Sequence, residues 1–276
     1  LKRLGTGGCR TQPLSANVHF GAHSALHASR AKDLVKPSMV ITQGGQKIGV
    51  VGLTIAGKTK ASSSPDADTT FEDEAVAAQR EIDALTAQGV NKIVLLSHIG
   101  YDNDKQVIAK LRGVDVVVGG DSHTLLGPSF LSNLGVGSPA GDYPTQLKDA
   151  SGNPVCLVQA WEYAQVVGEL KVTFDAQGKV TACAGTPHVL IGDDFKLPKG
   201  DLSAAQRQAI DKQVRDSGVL RVTTANAKAA AVLKPYADAL EAFNLKQVAV
   251  VEEEICSRRV PGGAGTVDFS RSSASC

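Results

Sequence analysis

The chain has 276 residues, of which 42% are hydrophobic and only 4% aromatic, and 29 basic against 28 acidic side chains leave a formal net charge of +1. That length suits one large domain, or one domain and part of another, with a core built mostly of Val, Leu, Ile and Ala. No basic stripe or acidic tail offers itself to a nucleic-acid polymer, and no apolar run approaches the roughly 20 residues that cross a bilayer as a helix.

The chain begins at Leu1 rather than Met, with no charged and apolar leader, and stops at Cys276 in a Ser-rich stretch. Both ends lead us to expect an interior piece of a longer protein. His19, His23 and His27 recur every four residues, but no apolar stripe accompanies them and Gly21 weakens a helix, so a solvated loop is expected there. Gly44 and Gly45 precede a strand rather than follow one, which marks a turn and not a phosphate cradle. The apolar run 46–55 (QKIGVVGLTI) predicts a buried strand, and 62–68 is turn-rich. Over 71–88, Phe71, Ala75, Ala78, Ile82 and Leu85 fall at helical spacing and predict an amphipathic helix facing a sheet. A second strand is expected over 92–97, a second helix over 104–111 and a third strand over 114–118. Strands alternating with helices predict an α/β layered domain.

After Gly127 the pattern turns to β, with strands expected over 155–160 and 166–174 and a hairpin closed by the 175–178 turn and 179–183. Residues 202–243 are rich in Ala, Gln and Lys at helical spacing and predict one or two connecting helices. Pro235 breaks that pattern just before Tyr236, so 234–236 reads as a helix junction or hinge. Residues 247–251 begin another strand. Cys9, Cys156, Cys183, Cys256 and Cys276 show no CxxC spacing, which argues against a zinc knuckle or a thioredoxin site. Five reduced thiols and a partly disulfide-bonded set both remain open.

Active sites of α/β domains lie beyond the carboxyl ends of their strands. Two predicted strands end in residues suited to chemistry. The 92–97 strand runs straight into His98, and 114–118 runs into Gly119, Gly120, Asp121, Ser122 and His123. The glycines let the backbone turn sharply and approach an ion. Asp121 and His123, two apart, can point to one centre from an extended turn, and imidazole with carboxylate suits zinc, manganese or a related divalent ion. A single histidine after a strand is more often a polar loop residue than a ligand. Delivery of three candidates by two strands of one sheet strengthens the metal reading. His188, following Pro187, is expected to be structural or superficial. No G-x-S-x-G elbow, P-loop or strand-following G-x-G-x-x-G occurs, so serine hydrolase, kinase and dinucleotide chemistry lack support.

The ordered segments LSANV (14–18), KIGVVGLT (47–54), LSHIG (96–100), GGDSHT (119–124), VQAWEY (158–163) and VVGEL (166–170) together resemble the bacterial 5′-nucleotidase family across nearly the whole chain. The resemblance implies a calcineurin-like metallophosphoesterase domain, a two-sheet sandwich flanked by helices, followed by a helical linker. Residues 1–200 would be the C-terminal part of that domain, 201–245 the linker, and 246–276 the start of a nucleotide-binding C-terminal domain. It also implies two divalent metal ions, zinc, manganese or similar. His98 matches the family's strand-end histidine ligand and His123 the second histidine of its final Gly-His-Ser-His-like motif. Asp121 stands where the first histidine of that motif is usual. The remaining ligands and the catalytic histidine would lie before Leu1, so this chain alone is expected to be inactive or very weak. Arg258 and Arg259 stand where the second domain would begin and are candidates to bind substrate phosphate. The implied activity is hydrolysis of nucleoside 5′-monophosphates to nucleoside and phosphate, with 2′,3′-cyclic nucleotides or nucleotide sugars as alternative substrates and a non-catalytic binding protein on the same scaffold as a reading of another class. A periplasmic or secreted location follows from the resemblance, and with it pairing of Cys256 with Cys276 and of Cys156 with Cys183 across neighbouring strands.

Overall fold

A computed structural model describes residues 11–197 and 200–246. The elements in chain order are β1 (Val18–His19), β2 (Ser38–Gln43), β3 (Gln46–Thr54), α1 (Ala56–Ser63), β4 (Thr70–Phe71), α2 (Glu74–Ala87), β5 (Ile93–His98), α3 (Tyr101–Ile108), β6 (Val116–Val118), α4 (Phe130–Asn133), β7 (Thr145–Lys148), β8 (Pro154–Val158), β9 (Val166–Phe174), β10 (Val180–Ile191), α5 (Ala204–Asp216), β11 (Leu220–Val222) and α6 (Ala227–Asn244). The described residues through Thr223 form one compact unit, and those from Thr224 a second.

The first unit is built on a six-stranded sheet of order β2-β3-β5-β6-β8-β7. Its four inner strands are parallel, and the edge strands β2 and β7 run antiparallel to them. β2 and β3 are joined by Gly44 and Gly45, both at positive φ (56° and 76°). That is the two-residue hairpin turn which only glycine or Asn/Asp enters cheaply. The expected turn is therefore present, and β2 is an element the apolar pattern did not disclose. Along β5, Ile93, Leu95 and Ser97 are buried on one face of the sheet while Leu96 and His98 are exposed on the other. α2 presents Ala77, Ala78, Ile82 and Leu85 to the buried face, and α3 adds Val107 and Ile108. Complete burial of a Leu or Ile side chain contributes about 1.5–3 kcal/mol, so this layer is the main source of stability of the domain. Asp73 caps α2 by accepting from the backbone N–H of Ala75 and Val76, both at 3.0 Å.

The second sheet has three strands in the order β11-β10-β9. β9 and β10 form the expected hairpin, closed at Asp175, whose carboxylate accepts from the N–H of Gln177 and Lys179. β10 runs on well beyond Cys183, and β11 adds to it in parallel. Cys156 of β8 and Cys183 of β10 are joined by a disulfide. The expected pairing is present, but the two strands are not neighbours in one sheet. They belong to the two different sheets, and the bridge staples these together through a small cluster of Val116, Cys156 and Val180. Cys256 and Cys276 lie outside the described residues, as do Arg258, Arg259 and the strand expected over 247–251.

The second unit is described by α6 alone. Pro235 lies inside this helix and does not end it, which corrects the expected break and helix junction at 234–236. Proline removes one backbone donor and crowds the preceding turn. Here the alanine-rich flanks favour the helix, the Asn226 side chain caps its start by accepting from Ala229 N–H at 3.0 Å, and Lys234 pairs with Asp238 one turn later at 2.9 Å.

Candidate metal-binding edge

The parallel strands β3, β5, β6 and β8 all deliver their carboxyl ends to one edge of the large sheet. Their registers place Thr54 beside His98, Leu96 beside Val118, and Val118 beside Val158. β6 thus ends two residues short of His98, which brings Gly120 level with it. A Cβ on Gly120 would lie 2.9 Å from His98 Nδ1, so only glycine fits there without displacing the ring. Asp121 follows in the left-handed region (φ 73°) and His123 likewise (φ 50°). Of the seven non-glycine residues with positive φ among the described residues, five are Asp121, His123, Trp161, Tyr163 and Ala164. All five lie in two loops that touch through His123, and backbone strain of this kind gathers where the surrounding structure holds side chains for a task.

Asp121 is the centre of the edge. Its Oδ1 lies 2.6 Å from the Lys58 Nζ of α1 and 3.7 Å from His98 Nε2. Its side chain is only 11% exposed, whereas His98 is largely open to solvent. A largely buried carboxylate with a cation seated on one oxygen and an imidazole beside it is a pair of donors suited to a borderline divalent ion. His123 points elsewhere. Its Nδ1 lies 2.9 Å from Oε2 of Glu162, and its ring meets that of Tyr163 edge-on at 5.7 Å. The edge therefore brings His98 and Asp121 together and sets His123 in a second His–carboxylate pair. Among the described residues no three His, Cys, Asp or Glu side chains gather around one point. Two donors do not by themselves hold a zinc or manganese ion, which takes four or more ligands. The residues fit a metal as part of a ligand set.

A buried polar layer supports the edge from below. The wholly buried Asn17 accepts from Thr54 N–H at 3.0 Å and donates to Thr54 O at 2.8 Å, fixing the end of β3. Gln159, 3% exposed, donates to Gly120 O at 3.2 Å and accepts from the backbone N–H of Thr124. Ser122 Oγ takes up the otherwise free N–H of Tyr101 at 3.0 Å, so the loop between the two candidate ligands caps α3. Ser97 donates to Asp104, a carboxyl that burial pushes up to about 7.

The other sequence candidates separate cleanly. His19 contacts Glu72 (3.3 Å), His23 Asp68 (2.9 Å) and His27 Ser29 (2.8 Å), each with its own partner in a segment of turns apart from β1. His188 bonds Glu169 at 2.9 Å across the β9–β10 hairpin, a structural role. Sequence reasoning did not single out Lys58, Asp104, Gln159 or Glu162. The position of Lys58, four residues past the end of a buried strand, was a usable signal for the first; the burial of Asp104 and Gln159 and the contact of Glu162 with His123 show only in three dimensions.

No family model matches the chain. It is 37% identical over 244 residues to a probable 5′-nucleotidase of Treponema pallidum, a match that covers 86% of this chain and 40% of that relative. It is similar to the solved NAD nucleotidase of Haemophilus influenzae, with a TM-score of 0.76, 32% identity, and coverage of 84% of this chain and 41% of that one. A calcineurin-like phosphoesterase of Bacillus subtilis shares the fold at a TM-score of 0.54 and 14% identity, over 86% of this chain and 65% of that one. The chain thus spans about two fifths of the length of its curated relative. With a calcineurin-like α/β fold and this degree of identity along most of its own length, the chain belongs to the 5′-nucleotidase family, a family of metal-dependent phosphoric ester hydrolases.

Proposed function

We propose that this chain supplies one side of a two-metal centre that hydrolyses nucleoside 5′-monophosphates to nucleoside and phosphate. The observation that carries the reading is the pairing of His98 and Asp121 at the carboxyl ends of parallel strands, with a cation already drawn to Asp121. His98 and Asp121 would hold one side of a metal, and His123 would offer Nε2 while Glu162 faces its Nδ1. The remaining ligands would come from parts of the longer protein that its relatives' length implies. Bound divalent ions supply charge neutralisation to the phosphoryl group and acidity to the attacking water. The chain's own part is to fix the carboxylate on a strained, glycine-preceded turn, so that little reorganisation is needed when charge develops. Lys58, which sits on Asp121 at the rim, would be the cation placed to meet substrate phosphate if Asp121 served as a ligand. Arg258 and Arg259, outside the described residues, would serve the same phosphate from the following segment. The 1–200, 201–245 and 246–276 division into metal domain, linker and nucleotide-binding domain belongs to this reading. So does a secreted or periplasmic location, which the Cys156–Cys183 disulfide supports because such bonds persist in oxidising compartments. Among the described residues no helix is long and apolar enough to cross a membrane.

The test is phosphate and nucleoside release by the full-length protein from AMP, a 2′,3′-cyclic nucleotide, a nucleotide sugar and NAD, the last because a structural relative is named for it. Chelator-sensitive turnover of AMP, restored by manganese or zinc, is expected. Metal-dependent turnover of another substrate with AMP untouched would reassign the specificity. Nucleotide binding without turnover of any of them would make the chain part of a binding protein.

A further inference from the structure

The paired registers of β5 and β6 end at Leu96 and Val118, short of both candidate ligands. Something other than the strand ladder must therefore set the distance between His98 and the loop that carries Asp121. The residue placed to do so is Asp104, in the first turn of α3 and 1% exposed. Its Oδ1 accepts from Ser97 Oγ, the side chain immediately before His98. Its Oδ2 has no hydrogen-bond partner and is turned toward Gly119, two residues before Asp121. A Cβ at Gly119 would lie 2.6 Å from this oxygen and 3.2 Å from Gln159 Nε2. Gly119 N–H in turn donates to Val158 O at 2.8 Å, tying the same point to β8. One buried carboxyl thus grips the end of β5 by a hydrogen bond and the end of β6 by close packing.

We propose that Asp104 is a positioning residue for the metal site, setting the separation of His98 and Asp121 from behind the sheet. This rests on the reading of His98 and Asp121 as metal ligands. An isolated buried carboxyl with one satisfied oxygen is costly to keep, and a leucine in its place would fill the same space at lower cost, so the retained acid has work that apolar packing cannot do. Ser97 lies on the buried face and His98 on the open face of the same strand. A shift of the backbone at Ser97 would therefore carry His98 with it on the opposite face. Partners one step behind metal ligands typically change metal affinity 10–100-fold when removed, and an effect of that size is expected here.

The experiment compares manganese affinity, measured by calorimetry on the full-length protein, among wild type, Asp104→Ala, Asp104→Asn, Ser97→Ala and Asp121→Ala. Asp104→Ala should weaken manganese binding by about 10–100-fold. Asp104→Asn keeps the shape and the oxygen that accepts from Ser97, and it should restore affinity to near wild type, a rescue that a generally loosened fold would not show. Ser97→Ala is the milder break, and it provides the test if Asp104→Ala does not fold. Loss of affinity in Asp121→Ala with wild-type affinity in both Asp104→Ala and Ser97→Ala would overturn the positioning role and leave the metal reading standing. Wild-type affinity in Asp121→Ala would remove the metal reading and the proposal with it.

Discussion

Removing the Cys156–Cys183 bridge should loosen the attachment of the three-stranded sheet to the six-stranded one. The bridge closes a loop with a sequence separation of 27, for which loop-closure entropy alone gives about 3.5 kcal/mol. Cys156 is wholly buried and shares its cluster with Val116, Val180, Leu170, Val172 and Phe174, so the native contacts stay in place after the bond is broken. The loss should then stay near the entropic figure rather than grow into a cavity penalty. The wild type under reductant should melt lower by roughly 7–14 °C, at about 2–4 °C per kcal/mol for a domain of this size, and the double variant Cys156→Ala, Cys183→Ala by at least as much, since it also removes two sulfur atoms from the cluster. Calorimetry of the full-length protein, oxidised and reduced, measures this directly. Limited proteolysis should show new cleavage in the 166–222 region and leave the large sheet intact. A change in melting temperature below about 2 °C would refute the reasoning, because the two sheets would then be held by their apolar contacts alone.

Two further outcomes follow from buried groups. The Asp104 carboxyl is pushed up to about 7 by burial, from 3.8, so the folded state holds a proton that the unfolded chain releases. Its contribution to stability is greatest below about pH 4, is lost as pH rises toward 7 and is flat above, with an upper limit of roughly 4 kcal/mol over the window. Asp104→Asn should flatten that part of the curve between pH 5 and pH 8 in urea titrations, leaving the slope due to Asp115, which burial also pushes up to about 7. Identical slopes in variant and wild type would exclude an ionisation at Asp104. Gly52→Ala would place a Cβ 2.5 Å from the backbone of Leu14, which runs beside the end of β3. Backbone cannot step aside as a side chain can, so the variant should lose about 1–3 kcal/mol by urea midpoint, and an unchanged midpoint would contradict the packing described.

The sequence disclosed what periodicity controls. The apolar runs of β3, β5 and β6 and the stripe of α2 bury their side chains as the pattern requires, and the hairpin of β9 and β10 follows its Asp175–Gly178 turn. It concealed what long-range pairing controls. β2 reads SMVITQ and is mostly exposed because it is an edge strand, so no apolar run marks it. β10 continues through Pro187, a residue that argues against a paired strand, and gains β11 from a segment more than 30 residues away. Pro235 misled in the opposite direction, because a proline inside a long alanine-rich helix costs less than the rest of the helix provides. At the edge itself, strand-end position singled out His98, Asp121 and His123 as candidates, of which the fold brings His98 and Asp121 together and sets His123 against Glu162. The partners that give them direction could not be found in that way. Lys58 reaches Asp121 across 63 residues of chain, and Asp104 is an ordinary helical acid until its burial is seen.

The most direct test of the central claim is an anomalous-scattering map of full-length protein crystals grown with manganese. The account predicts a peak at coordination distance, about 2.0–2.2 Å, from His98 Nε2 and an Asp121 carboxylate oxygen, with Lys58 displaced from its 2.6 Å contact. Manganese bound elsewhere, with Lys58 still seated on Asp121, would contradict it.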